Sequence, residues 1–425
     1  MSSRKILKPA SVATPNDAYS PGVRYKNWVF VSGVMATDYK TGLYPGIQEN
    51  PAIPLAGEDV GIRETVHIFK TIEAVLAAGG TSLPNGVRID QFPATREIVD
   101  PYHVARREII KPPRPASTSV HIDALPIPDV HTQVELIAIV PEPGFEKVGI
   151  NTDKLPQPLG GYAPAVRAGD FLFLAGQVPT DWKSGVAPEA RVDPNFWEGS
   201  RIDRETRLTL KNMQILLEEA GSSMANVVKA QVYLTDINDL PRMERVWREF
   251  FPKDPPVRTT YPIRTLGVTE SRIEINFVAL LDKGKTKKET IATKSARAPL
   301  FHEAQAIRAG DLLFLSGLMA ADRNGLVAAA RKNPHVPYGC DTAAAQMADI
   351  MEQAQSICRA AGTDLKNAVR MLTVHTDLGE SYAAAQAAAK WFPAGAPATT
   401  TFKVHAPLQV PGCTMMVDLW VGMTE

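Results

Sequence analysis

The stretch VRYKNWVFVSGVMATDYKTG at residues 23–42 is the most informative part of the sequence, because the chain contains it in three versions. The second, VRAGDFLFLAGQVPTDWKSG, spans residues 166–185, and the third, IRAGDLLFLSGLMAADRNG, spans residues 307–325. The glycine of the Ser-Gly or Ala-Gly step recurs after 143 and then 141 residues, at Gly33, Gly176 and Gly317. An Asp five residues later and a nearby Gly are typical of the turn in a β-hairpin. The near-constant interval predicts three structural copies.

The rest of each copy follows its hairpin at a similar spacing. A helical stretch ends in Ala-Gly 45 or 46 residues after the hairpin glycine, at Gly79, Gly221 and Gly362. In the middle copy, alternation predicts a half-buried strand at 226–237, and an apolar face predicts a second helix at 239–251. Two further strands complete the copy, at 257–266 and 272–281. Each copy is therefore predicted to be an α+β domain, a mixed sheet with two helices on one face.

The domain boundaries follow from the polar stretches between the copies. The expected order is a tail, then three domains joined by two connectors, at 1–16, 17–140, 141–159, 160–281, 282–299 and 300–425. The connectors are rich in Pro or Lys, and such stretches are typical of solvated linkers.

Composition and motifs narrow the class of function. The 425 residues include 46 Lys and Arg and 46 Asp and Glu, so no basic excess favours nucleic acid as a partner. The sequence has no long apolar run and no apolar segment near its start, so we expect no membrane span, no secretory signal and a cytoplasmic location. Phosphate-binding glycine loops, Rossmann fingerprints, zincin motifs and hydrolase elbows are also missing from the sequence.

Cysteines and histidines form no metal or redox motif. The three cysteines, Cys340, Cys358 and Cys413, lack CxxC spacing and are odd in number, so we expect reduced thiols and no disulfide scaffold. His121 and His131 fall near the last strands of the first copy, but no third ligand stands at metal spacing. We therefore expect no metal ion and interpret both as surface or interface histidines.

The segment PPVRTTYPIRTLGVTESRIEINFVAL at residues 255–280 resembles the signature of the Rid, or YjgF-like, reactive-intermediate deaminase family. With the hairpin GDFLFLAGQVP, the helix end EEAG and the stretch VYLTDINDLPRMERVWREFF, the resemblance covers the whole middle copy and extends more weakly over the other two. It implies a chorismate-mutase-like fold that assembles as a trimer, with ligand sites between neighbouring subunits. Three fused copies then imply an intrachain pseudo-trimer, because tethers raise the effective concentration of each partner.

The resemblance assigns the substrate carboxylate to one arginine. The matching residue is Arg258, whereas the aligned positions hold Ser117 in the first copy and Thr399 in the third. A planar guanidinium binds a carboxylate through two parallel hydrogen bonds, which Ser or Thr cannot do. One carboxylate-binding cleft is therefore expected instead of three. The alternative interpretation of Arg258 is an interdomain salt bridge.

Other site residues are transferred by position. The resemblance implies substrate-binding roles for four more residues of the middle copy, Tyr162, Ala175, Gly176 and Thr260. Ala175 replaces the family's Ser, and Glu244 replaces an Asn of the second helix. The acid that positions the attacking water corresponds to Glu274, with Glu135 and Asp418 matched to it in the other copies. We take Glu274, Glu135 and Glu244 as catalytic candidates; the alternative for the strand acids is a structural ion pair or a solvated carboxylate.

These features predict a hydrolytic deaminase of small imino or enamino acids. Water attacks the C=N carbon while the arginine holds the carboxylate, and no cofactor is expected. Two alternatives stay open: a catabolic hydrolase or lyase acting on a cyclic or aromatic acid, and a non-catalytic protein that binds small acids. The expected partner is a small carboxylate, and further association of whole chains into a homo-oligomer is also open.

Overall fold

The computed structural model describes residues 4–15, 18–48, 52, 57–193, 195, 200–332, 335 and 341–424. Within these ranges the chain forms three units that repeat one order of elements. Cys340 lies outside the described residues, as do residues 1–3 of the predicted tail.

The three units contain matching strands and helices. Unit 1 comprises β1 Arg4–Leu7, β2 Gly22–Tyr25, β3 Trp28–Met35, α1 Val60–Ala78, β4 Gly86–Pro93, α2 Val99–Ile109, β5 Ala116–His121 and β6 Thr132–Ile139. Unit 2 comprises β7 Lys147–Ile150, β8 Ala165–Ala168, β9 Phe171–Gln177, α3 Arg201–Glu219, β10 Val227–Leu234, α4 Leu240–Phe250, β11 Val257–Pro262, β12 Thr265–Leu266 and β13 Ile273–Leu280. Unit 3 comprises β14 Lys288–Ile291, β15 Ala306–Ala309, β16 Leu312–Leu315, β17 Ala321–Asp322, β18 Gly325–Leu326, α5 Thr342–Ala360, β19 Ala368–His375, α6 Ser381–Ala389, β20 Ala398–Lys403 and β21 Met415–Gly422.

Each unit forms one main sheet with the same strand order. The orders are β1-β2-β3-β6-β4-β5, β7-β8-β9-β13-β10-β11 and β14-β15-β16-β21-β19-β20. The strand between the two helices pairs in parallel with the strand after the second helix, at β4-β5, β10-β11 and β19-β20. The remaining neighbours within these orders are antiparallel. The sheets are therefore mixed, and each unit carries two helices, as predicted.

The glycine that ends the first helix lies one residue later than predicted. The glycine in the left-handed conformation after α1 is Gly80 (φ +78°), and its equivalents after α3 and α5 are Gly221 (φ +77°) and Gly362 (φ +79°). Gly79 is the preceding cap residue, with right-handed backbone angles. Left-handed backbone strains residues with a Cβ, so glycine is favoured at these three helix ends. The interval from the hairpin glycine is therefore 47 residues in unit 1 and 45 in units 2 and 3, so the copies are not free of insertions.

The predicted tail and connectors contain ordered strands. β1, β7 and β14 lie within them, and each pairs antiparallel with the next strand of its unit. The prediction of solvated linkers is wrong at these strands, because polar, half-buried edge strands have the composition of a linker. We therefore propose that each unit begins at its edge strand, which shortens the connectors to 141–146 and 282–287.

Apolar side chains pack on both faces of the sheets. One cluster within unit 2 and one within unit 3 join the two helices of the unit to its sheet. Another cluster joins all three units, with Trp28 against Phe171 (ring centroids 5.3 Å apart) and Phe30 against Trp420 (6.1 Å). Because both faces are covered, strands such as β3 and β13 are buried along their whole length.

Several sequence expectations concern isolated residues. Cys358 and Cys413 are buried free thiols. His131 contacts Glu64 (Nδ1 to Oε2, 2.8 Å), while His121 lies buried at the end of β5. Among the described residues, no cluster of three or more His, Cys, Asp or Glu side chains could hold a metal ion. None of the described helices combines the length and the apolarity that a bilayer span needs.

Candidate functional site

Neighbouring units meet where the parallel edge strand of one unit faces the hairpin of the next. Three clefts result, which we name by their units. The facing pairs are Ser117 and Gly176 in the 1–2 cleft, Arg258 and Gly317 in the 2–3 cleft, and Thr399 and Gly33 in the 3–1 cleft. A unit therefore contributes its edge strand to one cleft and its hairpin to another.

The 1–2 cleft is a cavity of ≈ 420 Å³ with many polar side chains. Unit 1 contributes Asp100, His103, Arg107, Ser117, Ser119 and His121 to its polar lining. From unit 2 come Tyr162, Gly176, Trp182 and Glu274. Three residues predicted for the site, Tyr162, Gly176 and Glu274, therefore do lie together.

Glu274 is the acid of this cavity. Its side chain lies against the backbone of Gly176, where a Cβ would stand only 1.9 Å from Oε1 of Glu274, so a glycine is required. Among the described residues it has no ion-pair partner, and it is 5 % exposed. Burial raises the pKa of Glu274 to about 8, the charge of Asp90 adds to the shift, and the backbone N–H of Ser119 opposes it. The carboxyl is therefore mostly protonated at neutral pH and can donate a proton.

A guanidinium also reaches the 1–2 cleft, but it comes from helix α2. Arg106 donates from Nη1 to Oγ of Ser117 (2.8 Å) and from Nη2 to the carbonyl of Gly160 (2.8 Å). Its guanidinium carbon lies 5.4 Å from the ring centroid of Tyr102. Because the Ser117 oxygen accepts from Arg106, its own hydroxyl proton is available to the cavity. Arg106 thus stands behind the position at which the predicted arginine is missing.

Two further titratable groups of the cavity, His103 and Tyr162, are neutral at pH 7. Burial and the neighbouring Arg106 and Arg107 lower the pKa of His103 to about 3. Burial, with a further contribution from Glu274, raises the pKa of Tyr162 above its usual range. Arg107 lines the cavity and Arg106 lies directly behind it, so the two arginines outnumber the one lining aspartate, Asp100, and the cavity favours a small anion.

In the 2–3 cleft, Arg258 is buried and contacts acidic side chains of the protein. The residue is 1 % exposed, and its guanidinium carbon lies 4.9 Å from the ring centroid of Trp247. Nη2 donates to Glu244 on α4, and Nε lies 3.5 Å from Oε2 of Glu303, which belongs to unit 3. Arg258 is therefore engaged by two carboxylates of the protein itself. This is the interdomain salt bridge that the sequence left as the alternative.

Glu303 is the residue that closes this cleft. It stands fourteen residues before Gly317, as Tyr162 stands before Gly176. An acid has thus replaced an aromatic residue at the position that faces the arginine. The adjoining cavity measures only ≈ 50 Å³, and Arg258 is not among the residues that line it.

The strand pairing corrects the predicted match between the strand acids. Glu135 pairs with Asp90, Asn276 with Gln231 and Asp418 with Leu372, so Glu135, Asn276 and Asp418 are the equivalent residues. The residues equivalent to Glu274 are Gln133 and Met416, each of which lies against the hairpin glycine of its own unit. The predicted match of Glu274 with Glu135 and Asp418 is therefore wrong by two residues. A shift of two keeps the same face of a strand, so alternation alone does not reveal it.

Glu135 and Asp418 join units instead of lining a cleft. Glu135 accepts hydrogen bonds from Arg370 and from Oγ1 of Thr400 (2.5 Å), both in unit 3. Asp418 lies 2.9 Å from Nζ of Lys229 and accepts from Oγ1 of Thr259 (2.9 Å), both in unit 2. These buried pairs fit a structural role better than a catalytic one.

The remaining predicted residues also lie away from the 1–2 cavity. The carbonyl of Thr260 accepts a hydrogen bond from Gln409 of unit 3, and Ala175 packs in the cluster shared by all units. Glu244 binds Arg258. The predicted set is therefore divided among different junctions, because one unit's hairpin and edge strand face different neighbours. The sequence analysis did not predict Arg106 as a site residue. Its position was a usable signal, because Arg106 follows His103 by about one helical turn and so lies on the same face of the helix.

Comparisons with known proteins agree with the repeat. A family model described as Endoribonuclease L-PSP matches residues 10–140 and again residues 152–281. RutC family protein PH0854 of Pyrococcus horikoshii is 36% identical over 130 residues, which are 31% of this chain and 94% of that protein. The human protein named 2-iminobutanoate/2-iminopropanoate deaminase is 34% identical over 131 residues, 31% of this chain and 88% of that protein.

Solved structures show the same one-unit correspondence. The crystal structure of RidA from an Antarctic Psychrobacter covers 32% of this chain and 99% of its own, at 25% identity and a TM-score of 0.27. The relatives matched by sequence each correspond to about a third of the chain, and the resemblance to the Rid family is confirmed. Because the family model matches more than half of its length, the chain belongs to the Endoribonuclease L-PSP family, as a tandem array of Rid/YjgF-like units.

Proposed function

We propose that the protein is a hydrolytic deaminase of small imino or enamino acids and that the reaction takes place in the 1–2 cleft. The observation that carries the proposal is Glu274, a protonated acid without an ion-pair partner among the described residues, in a cavity beside two arginines. The names of relatives, such as the human 2-iminobutanoate/2-iminopropanoate deaminase, support the reaction class.

The units are proposed to close on one another as an intrachain pseudo-trimer. Contacts between all three pairs of units support this. Thr265 of β12 pairs with His121, which extends the sheet of unit 1 with a strand of unit 2. The backbone N–H of Arg258 donates to Oγ of Ser316 (3.0 Å), and that of Thr399 donates to Oγ of Ser32 (2.8 Å). The two retained Ser-Gly steps therefore bridge the 2–3 and 3–1 junctions.

The substrate carboxylate is proposed to bind in the 1–2 cleft and not at Arg258. The hydroxyl of Ser117 can donate to it, and Arg107 can pair with it from the cavity wall. Arg106 adds a buried positive charge behind Ser117. Arg258 already contacts two carboxylates, so binding a third there requires displacing one of them.

Glu274 is proposed to move the protons of the reaction. Its carboxyl protonates the imine nitrogen, which makes the C=N carbon electrophilic, and the resulting carboxylate takes a proton from the water that attacks this carbon. The regenerated acid protonates the amino group of the carbinolamine. Ammonia leaves as the hydroxyl proton returns to Glu274, so a keto acid is released and the acid is restored. A pKa near the working pH suits both directions of transfer.

The test is ammonia release from 2-imino acids generated freshly from amino acids by an oxidase. Glu274→Gln keeps the shape of the side chain and removes the titratable proton, so we expect a loss of about 10²–10⁴-fold in rate. The matched control is Glu289→Gln, the same change at an exposed acid of β14. An unchanged rate in Glu274→Gln contradicts the proposal.

The two alternatives give different results in the same assay. A protein that only binds small acids shows saturable keto-acid binding without ammonia release by the wild-type chain. A hydrolase of cyclic acids opens a ring amide and is inactive on imino acids.

A further inference from the structure

The 3–1 cleft contains neither the arginine of the family signature nor the acid found in the 1–2 cleft. Thr399 stands at the arginine position, and Gln133 stands where unit 2 has Glu274. The cleft nevertheless contains a cavity of ≈ 150 Å³, larger than the one at the 2–3 junction. A cavity is therefore present in this cleft although both charged side chains are absent.

The cavity exists because helix α6 is built from small residues. Six of its nine residues are alanine. Ala388 stands eleven residues before the strand position, where unit 2 has Trp247 and unit 1 has Arg106. Replacing a large side chain by a methyl group leaves space between the helix and strands β19 and β20.

The walls of this cavity are apolar and uncharged. Met35, Met347, Met371 and Phe392 line it, and none of its described lining residues carries a formal charge at neutral pH. Burial lowers the pKa of the lining His375 to about 4, so its imidazole is neutral as well. An anion placed here would lose its hydration without gaining a counter-charge from the described lining. Methionine side chains adapt to ligands of irregular shape.

In the described part of the chain, three buried polar atoms of residues that line this cavity have no hydrogen-bond partner. They are Oε1 of Gln133, Oγ1 of Thr373 and Nδ1 of His375. The three residues line the cavity and are 3 %, 3 % and 1 % exposed. Buried polar atoms normally have partners, so such a group in a cavity indicates a place for a ligand with its own donors and acceptors.

We propose that the 3–1 cleft binds a neutral small molecule, about the size of one aromatic ring, that carries an amide or hydroxyl group. Size supports the ring, since an engineered apolar cavity of about 150 Å³ in another protein binds benzene. The unpartnered oxygens and nitrogen support the polar group. This site is separate from the 1–2 cleft and does not depend on the deaminase proposal.

Isothermal titration of the full chain with benzamide and with benzoate tests the proposal. The two probes share size and shape and differ in charge. We expect benzamide to bind saturably at one site per chain, and Ala388→Trp, which places a large ring in the cavity, to abolish that binding. The matched control Tyr382→Trp adds the same ring at an exposed position of α6 and should leave benzamide binding unchanged. Any benzoate binding reflects another site and should not respond to Ala388→Trp.

A second variant keeps the test decisive if Ala388→Trp fails to fold. Thr399→Arg places a guanidinium in this cleft, so benzamide should bind about tenfold more weakly, and benzoate should bind at a site that wild type does not offer it. The proposal is overturned if wild-type protein does not bind benzamide, if folded Ala388→Trp binds it as wild type does, or if Thr399→Arg changes neither affinity. Loss of benzamide binding in Glu274→Gln also overturns it, because the probe then occupies the 1–2 cleft.

Discussion

The 1–2 and 2–3 clefts occupy equivalent places in the fold but hold opposite arrangements of charge. In the 2–3 cleft the guanidinium comes from the edge strand, at Arg258, and faces Glu244 and Glu303. In the 1–2 cleft the guanidinium comes from the helix, at Arg106, and its hydrogen-bond partners are neutral oxygen atoms. The acid of the 1–2 cleft, Glu274, has no cationic partner among the described residues. One arginine is therefore neutralised inside the protein, while the other keeps its charge available.

This difference shows that a motif residue identifies a substrate-binding site only when the groups that contact the residue are known. A guanidinium that is fully buried needs counter-charges, and two acids of this chain supply them for Arg258. Glu244 stands at the position matched to the family's Asn and was expected to be catalytic, and Glu303 belongs to the neighbouring unit, so neither acid was expected to neutralise the arginine. Of these two clefts, the open one is the cleft that lacks the signature arginine.

The largest expected effect in the 2–3 cleft is on stability. Arg258→Met removes the buried cation that contacts both acids, which leaves Glu303 without this ion pair and Glu244 with only the exposed Arg248, so the free energy of unfolding should fall by about 3–5 kcal/mol in urea denaturation. Ammonia release per folded molecule should stay within about twofold, because the 1–2 cleft is unchanged.

The double variant Arg258→Met/Glu303→Gln tests whether the unpaired Glu303 causes part of the stability loss in the 2–3 cleft. It removes the cation together with one of the charges left behind, so part of the lost stability should return. Folded Arg258→Met protein without ammonia release would move the reaction to the 2–3 cleft and contradict the assignment.

The repeat was predictable from sequence because hairpin glycines and helix-ending glycines have backbone requirements that few other residues meet. The equivalent residues of Glu274 in the other units were harder to predict, because residues two apart on a strand lie on the same face. Counting from the helix ends could have resolved them, because Gln133 follows Gly80 and Glu274 follows Gly221 by the same 53 residues. The partner Glu303 was not predictable, because it depends on which units meet, whereas Glu244 lies in the same unit as Arg258.

The pH dependence of stability should separate the two clefts further. Glu274 has a folded pKa of about 8 and an unfolded value of about 4.3, so the folded state holds its proton more tightly. Its stabilising contribution is complete below the unfolded value and is lost as the pH rises towards 8. Glu303, with a pKa raised to about 7 by burial, adds a decline in the same direction.

Comparing wild type with Glu274→Gln isolates the first contribution. Between pH 5.5 and 7.5 wild type should lose up to about 2.7 kcal/mol more unfolding free energy than the variant, as measured by urea denaturation at each pH. Parallel curves for the two proteins would show that Glu274 is not the group held protonated.

The smallest expected effect concerns the guanidinium of the 1–2 cleft. Arg106→Met removes the donor to Ser117 and the positive charge behind it, so the substrate carboxylate should bind more weakly. We expect KM for ammonia release to rise about tenfold while kcat changes less than about twofold, because this interaction is present in the ground state and the transition state alike. Arg167→Met, the same change at an exposed position of β8, is the control. A fall in kcat at constant KM would instead place Arg106 in the chemical step, and an unchanged KM would leave Arg107 as the carboxylate ligand.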